Sequence, residues 1–180
     1  MRIIAGSRKG QRIVAPKGVD TRPTGDRVRE AAFNLIGPVD GADVLDLFAG
    51  SGAMGLEALS RGAESVTFVE QDRRAAETIV RNLEKLRLTG ATVLRDDAIR
   101  KLVADGAAGR RYDLVLVDPP YRMLASLLPS LAAHLPAVVA PDGLVVVESD
   151  EREEPELPLP MRTSRRYGSA RITVFVGTSP

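Results

Sequence analysis

Apolar positions change period along this chain, and the changes mark its elements. Residues 43–48, 65–70, 91–94, 112–117 and 144–147 are short runs rich in Val, Leu and Phe, bounded by polar or glycine-containing segments, which predicts buried strands. Between the runs, apolar residues recur three and four apart, the spacing of amphipathic helices. Met54, Leu56, Ala58 and Leu59 predict a helix over 53–61 that Gly62 stops. Ala75, Ala76, Ile79, Val80, Leu83 and Leu86 predict one over 72–87. Ile99, Leu102 and Val103 predict a short one after Asp96-Asp97, and Leu124, Leu127, Leu128 and Leu131 another that Pro129 interrupts. Ahead of the first strand, Val28, Ala31, Ala32, Leu35 and Ile36 form one stripe, with Thr24 as expected N-cap and Gly37-Pro38 as stop.

The two ends carry hairpin patterns. Residues 2–5 and 11–14 are β-prone around the basic loop 6–10, and Pro16-Lys17-Gly18 reads as a linker. Residues 162–167 and 170–176 flank Gly168-Ser169, too tight a connection for a helical crossover, so that pair is antiparallel. Pro141-Asp142-Gly143 reads as the turn into the strand at 144–147, and 149–160 as an acidic, proline-punctuated loop. Alternating apolar strands and helices imply a parallel sheet covered on both faces. The expected fold is α/β and Rossmann-like: a mostly parallel seven-stranded sheet with a C-terminal antiparallel hairpin, the arrangement expected of class I methyltransferases, plus a small N-terminal β-hairpin. The expected division is an extension over 1–18 and a main domain over 19–180.

Composition narrows the chemistry. The chain has 180 residues, no cysteine and a single histidine, so disulfides, thiolate metal sites and a histidine metal cluster are not expected. His134 sits in a leucine-rich helical stretch and reads as structural. No apolar run approaches the roughly 18 residues needed to cross a bilayer, and the amino terminus lacks a signal-peptide core, so a cytoplasmic protein without a membrane partner is expected. No surplus apolar surface is evident, so a monomer is expected. Charge is unevenly spread: residues 1–30 hold eight basic residues against three acids, while 148–156 hold six acids and one arginine. A basic end of this kind suits a polyanion such as nucleic acid.

Two stretches carry candidate chemistry. The first runs from Val44 to Leu59, a strand entering a helix through Gly50, Gly52 and Gly55, the G-x-G-x-x-G spacing that offers backbone N–H groups to a nucleotide-like ligand. Glu70 ends the next strand, where an acid can hold ribose hydroxyls. Asp46 separates NAD from S-adenosylmethionine: its carboxylate would repel a pyrophosphate and attract the ammonium of S-adenosylmethionine, directly or through water. Asp46, Glu70, Asp97 and Asp118 all fall at or just past strand ends, where ligands bind in such sheets. The second stretch is Asp118-Pro119-Pro120-Tyr121. Its prolines remove two donors, leaving carbonyls and a carboxylate to accept from an exocyclic amine, and Tyr121 can stack on the base.

With Asp118-Pro119-Pro120-Tyr121 after the fourth strand, the chain resembles amino-methyltransferases. The combination of Arg22-Pro23-Thr24, Asp26-Arg27-Val28-Arg29-Glu30, Asp46-Leu47-Phe48-Ala49-Gly50-Ser51-Gly52 and Leu56-Glu57-Ala58-Leu59-Ser60-Arg61-Gly62-Ala63 is similar to the RsmD family over essentially the whole chain. That resemblance implies transfer of a methyl group from S-adenosylmethionine to N2 of one guanine in small-subunit (16S) rRNA, in assembled or assembling small subunits. It implies Asp118, Pro119, Pro120 and Tyr121 as the catalytic set. It implies a cofactor set of Asp46, Phe48, Ala49, Gly50, Ser51, Gly52, Glu70, Gln71, Asp96, Asp97 and Ala98, with either Asp96 or Asp97 at the adenine. It also implies that the amino-terminal hairpin and helix meet RNA, which gives Arg2, Arg8, Lys9, Arg12, Arg22, Arg27 and Arg29 as candidates. DNA amino-methyltransferases and protein glutamine methyltransferases use similar tetrapeptides and are the alternatives. The former usually carry a large recognition insertion, for which there is no room ahead of Asp118.

Overall fold

The Val- and Leu-rich runs pair into one seven-stranded sheet in a computed structural model that describes residues 1–15 and 25–178. In chain order the elements are α1 (Asp26–Ile36), β1 (Asp43–Leu47), α2 (Ala53–Ser60), β2 (Ser65–Val69), α3 (Arg73–Leu86), β3 (Ala91–Leu94), α4 (Ala98–Ala107), β4 (Tyr112–Val117), α5 (Tyr121–His134), β5 (Val139–Asp150), β6 (Met161–Tyr167) and β7 (Ala170–Val176). The strand order is β3-β2-β1-β4-β5-β7-β6. Neighbours from β3 through β5 run parallel, and β7 runs antiparallel to both β5 and β6. This is the class I methyltransferase arrangement. The order reverses between β1 and β4, the switch point at which α/β sheets open a ligand crevice beyond their carboxyl ends.

Strand residues alternate between two cores. Val44, Val66, Phe68, Leu114, Leu116 and Val146 pack with α1, α2 and α3 on one face. Leu45, Leu47, Val69, Val115, Val117, Val145 and Val147 pack with α4 and α5 on the other. Period two therefore sends Asp46 to the same face as Val44, under α2.

Four local expectations change. Helix α5 continues through Pro129, because Pro129 and Ala125, whose carbonyl loses its donor, are both exposed to water. Strand β5 begins at Val139, and Pro141-Asp142-Gly143 forms an irregularity within it, with Asp142 at φ 61° and a register shift against Tyr112 and Leu114. The N-cap of α1 is Gly25; Thr24 and the linker at 16–18 lie outside the described residues. The N-terminal hairpin is reduced to a single bridge, Arg2 with Arg12, closed by a 3₁₀ turn at Gly6–Arg8. Its tip lies so close to α2 that a Cβ on Gly6 would stand 1.7 Å from the Ser60 carbonyl oxygen. Ile3 and Ile13 bury into the core beneath α1 and α2.

Candidate active site

The carboxyl ends of β1, β2, β4 and β5 frame a cleft of about 480 Å³, within the range of small-molecule sites. The chain leaves β1 through left-handed backbone at Phe48 (φ 59°), Gly50 (φ 54°) and Gly52 (φ 78°). Phe48 is not a glycine, so its conformation stores about 1–3 kcal/mol of strain at a point that faces the cleft. The turn is braced by Glu70: the Gly50 N–H donates to Glu70 Oε2 at 2.7 Å and the Asp72 N–H to Oε1 at 2.7 Å. Phe48, Ala49, Gly50, Ser51, Glu70 and Gln71 all line the cleft. Gly52 does not. It N-caps α2, where a Cβ would meet Ile79 at 3.1 Å, so its part is packing and turning the chain.

Asp46 lies beneath this turn, 2% exposed, and accepts the Gly55 N–H at 2.9 Å. Burial pushes its carboxyl up to about 8; the Gly55 bond opposes this, and the charges of Asp118 and Glu70 add to it. A buried acid beside two further carboxylates is a poor seat for phosphate and a good one for a cation. These acids fit the ammonium and sulfonium of S-adenosylmethionine: Asp46 is the one that could face the cation, and Glu70 one that could accept from ribose hydroxyls.

At the far wall, Asp96, Asp97 and Ala98 line the cleft at the start of α4. Asp97 caps that helix by accepting the Arg100 N–H at 2.9 Å. Asp96 pairs with the Arg100 side chain, which holds its carboxyl below the usual range. Asp118, Pro119, Pro120 and Tyr121 line the cleft where β4, the neighbour of β1, passes into α5. The Tyr121 hydroxyl donates to Glu148 Oε1 at 3.0 Å, and Glu148, 9% exposed at the end of β5, lines the same cleft. Sequence reasoning missed Glu148 by grouping it with the acidic run that follows. Its signal was the one that found Asp118: an acid directly after a buried strand run. Met54, Val69, Arg122, Met123 and Leu127 also line the cleft and were missed.

The expected RNA contacts divide. Lys9, Arg12 and Arg27 are exposed, and Arg2 is exposed while pairing with Asp26 at 3.2 Å. Arg22 lies outside the described residues. Arg8 turns inward: its guanidinium donates to the carbonyls of Leu86 and Arg87, satisfying the end of α3. Arg29 is fully buried and cannot reach RNA, which corrects its expected role. Its guanidinium donates to Asp26 Oδ1 at 2.9 Å and to the Arg2 carbonyl, and lies 3.7 Å from Glu57. Glu57 is a buried hub that accepts the N–H groups of Ile4 (2.8 Å) and Ala5 (2.9 Å) and the Arg61 side chain (2.8 Å). Neither burial has a local sequence signal.

A family model described as "Conserved hypothetical protein 95" matches residues 1–176. "Putative rRNA methyltransferase YlbH" of Bacillus subtilis is 42% identical over 184 aligned positions, covering 97% of this chain and 98% of the relative. "Ribosomal RNA small subunit methyltransferase D" of Escherichia coli is 39% identical, covering 88% of this chain and 79% of the relative. The solved structure "Putative methyltransferase yhhF from Escherichia coli" superposes with a TM-score of 0.83 at 33% identity, covering 100% of this chain and 99% of that one.

Proposed function

The chain belongs to the family described as Conserved hypothetical protein 95, as a methyltransferase, and from that premise we propose that it methylates N2 of a guanine in small-subunit (16S) rRNA, in assembled or assembling subunits, using S-adenosylmethionine. One observation supports this reading: Asp46 and Glu70, acids suited to a cation, and Asp118, Pro119, Pro120 and Tyr121, suited to an amine, line one cleft.

When bound, S-adenosylmethionine supplies an electrophilic methyl group. The Asp118 carboxylate and the prolyl carbonyls accept hydrogen bonds from the guanine amine and aim its lone pair across the cleft. Tyr121 stacks on the base. Held by the glycine turn and the acids around it, S-adenosylmethionine would give its methyl to the amine and leave as the neutral thioether, and Asp118 would take the proton that the methylated amine releases. Catalysis is mainly positioning and desolvation. Exposed Lys9, Arg12 and Arg27 supply phosphate contacts, so the extension that includes residues 1–15 acts as the RNA-contacting part. A monomer in the cytoplasm, with no membrane partner, completes the reading. The large apolar side chains exposed among the described residues (Val14, Val80, Val103, Met123 and Met161) are scattered over separate elements, and no described helix is long and apolar enough to cross a membrane.

The test is transfer of labelled methyl to unmethylated small subunits, naked 16S rRNA and duplex DNA, with nucleoside analysis. N2-methylguanosine from subunits or rRNA is expected. Label in DNA alone would return the chain to the DNA amino-methyltransferases. Asp118→Ala is expected to lower transfer by at least about 100-fold while calorimetry shows little change in cofactor affinity; lost cofactor binding would move Asp118 to the cofactor site.

A further inference from the structure

Glu148 is absent from the glycine turn and from the proline tetrapeptide, yet it is built into the same cleft. Val117 on β4 and Val147 on β5 are register partners in parallel strands, so Asp118 and Glu148 are the next residues on two neighbours about 4.8 Å apart. Leu116 and Val146, two residues earlier, point to the α1–α3 face, and period two carries Asp118 and Glu148 to that side. The Tyr121 hydroxyl holds one Glu148 oxygen at 3.0 Å, which ties the carboxylate to the residue assigned to stack on the base. A carboxylate has about four acceptor sites, so the Tyr121 bond does not by itself fill it.

The three bases with exocyclic amines differ at the ring nitrogen beside that amine on the Watson–Crick edge. In guanine this nitrogen carries a hydrogen (N1–H beside N2). In adenine (N1) and cytosine (N3) it carries a lone pair. A fixed carboxylate opposite that atom attracts the first and repels the other two. Resting on the guanine-N2 reading above, we infer that Glu148 is the specificity-determining residue of the cleft: its carboxylate accepts the N1–H of the target guanine while Asp118 and the prolyl carbonyls hold the amine. The tetrapeptide accepts any amine, so it cannot make this distinction. Discrimination of this kind is strong because the wrong base leaves a buried acceptor facing a lone pair.

The experiment first maps the guanine that the wild-type protein methylates. That guanine is then replaced by 2-aminopurine, which keeps the amine but presents a lone pair at N1. Single-turnover rates on the two RNAs are compared for wild type, Glu148→Gln and Tyr121→Phe, with calorimetric cofactor binding as the check on folding. Wild type is expected to prefer guanine by at least about 100-fold; a site built to bond a donor rejects its absence by up to about 10⁴–10⁵-fold. Glu148→Gln is expected to shrink that preference at least 10-fold, because its amide can donate to N1. Tyr121→Phe is expected to slow both substrates and keep the preference, since the carboxylate remains. An unchanged preference in Glu148→Gln, or an equal change in Tyr121→Phe, overturns the inference and leaves guanine methylation standing. Methylation of no guanine in any RNA overturns the reading on which it rests.

Discussion

Asp46 shows what one residue costs the protein without its ligand. Burial pushes its carboxyl up from the ordinary 3.8 to about 8. Between those values the folded chain keeps a proton that the unfolded chain has released, so this group lowers stability as pH rises through the window and changes nothing further above it. Asp46→Asn removes that penalty. Thermal melts of the ligand-free variant are expected to exceed wild type by a margin that widens from pH 4 to pH 8 and then levels. Cofactor binding is expected to move the other way. A permanent sulfonium cation favours the ionised acid, so wild-type affinity rises towards pH 8 with proton release, while the variant binds more weakly and its protein-borne proton release disappears. Calorimetry in buffers of different ionisation enthalpy measures that release; identical release in both proteins would remove Asp46 from the cation's surroundings.

At the scale of elements, α2 is held on the sheet by the absence of a side chain. A Cβ on Gly55 would lie 2.3 Å from the Phe68 ring and 2.8 Å from Val66 Cγ1, and both residues are buried. Alanine gains about 1 kcal/mol of helix propensity, but overpacking costs about 1–3 kcal/mol. Forcing α2 off the sheet also pulls the Gly55 N–H from Asp46. Gly55→Ala is therefore expected to be destabilising by about 1–2 kcal/mol in denaturant unfolding, with loss of cofactor affinity; a stabilised variant would show that α2 has room to shift. The N-terminal segment is held by side chains of α2 and α3. Besides Glu57, Ser60 Oγ accepts the Arg8 N–H at 3.0 Å, and Asn82 accepts the Val14 N–H at 2.9 Å while donating to the carbonyls of Val14 and Ser51. Asn82 thus joins the amino-terminal segment to the glycine turn itself. Removing Glu57 would take the acceptor from the Ile4 and Ala5 N–H groups, at about 1–3 kcal/mol for each buried donor left unmet, while Arg29 keeps Asp26.

The whole molecule separates charge by purpose. Of the amino-terminal cations, Arg29 is buried, Arg8 is half-buried against the end of α3, and Lys9, Arg12 and Arg27 face water. Only exposed cations can release counterions from RNA. Replacing Lys9, Arg12 and Arg27 together by alanine is expected to weaken RNA binding and to lower the slope of log affinity against log salt by about 2–3, near one per lost phosphate contact. Filter binding over a salt series measures this. An unchanged slope would place the RNA on another face.

Local pattern was enough for the elements and for two walls of the cleft. Apolar periods of two and 3.6 depend on neighbours a few residues apart, so strands 43–48, 65–70 and 112–117 and the helices between them were legible, as was the turn at Gly168-Ser169. The glycine turn and Asp118-Pro119-Pro120-Tyr121 are likewise continuous in the chain, and the strand-end rule by itself gathers Asp46, Glu70, Asp97 and Asp118, which all line the cleft. Folding decided what depends on partners far away in the chain. Pro129 could stay helical because its side of α5 faces water. Arg29 left the cationic surface for Asp26 and the neighbourhood of Glu57, and the Arg8 guanidinium turned to the carbonyls at the end of α3. Glu148 joined Asp118 because β5 pairs with β4, across 30 residues of chain that say nothing of that neighbour. A charge's place in a protein is set by what surrounds it in space, and sequence distance does not encode that.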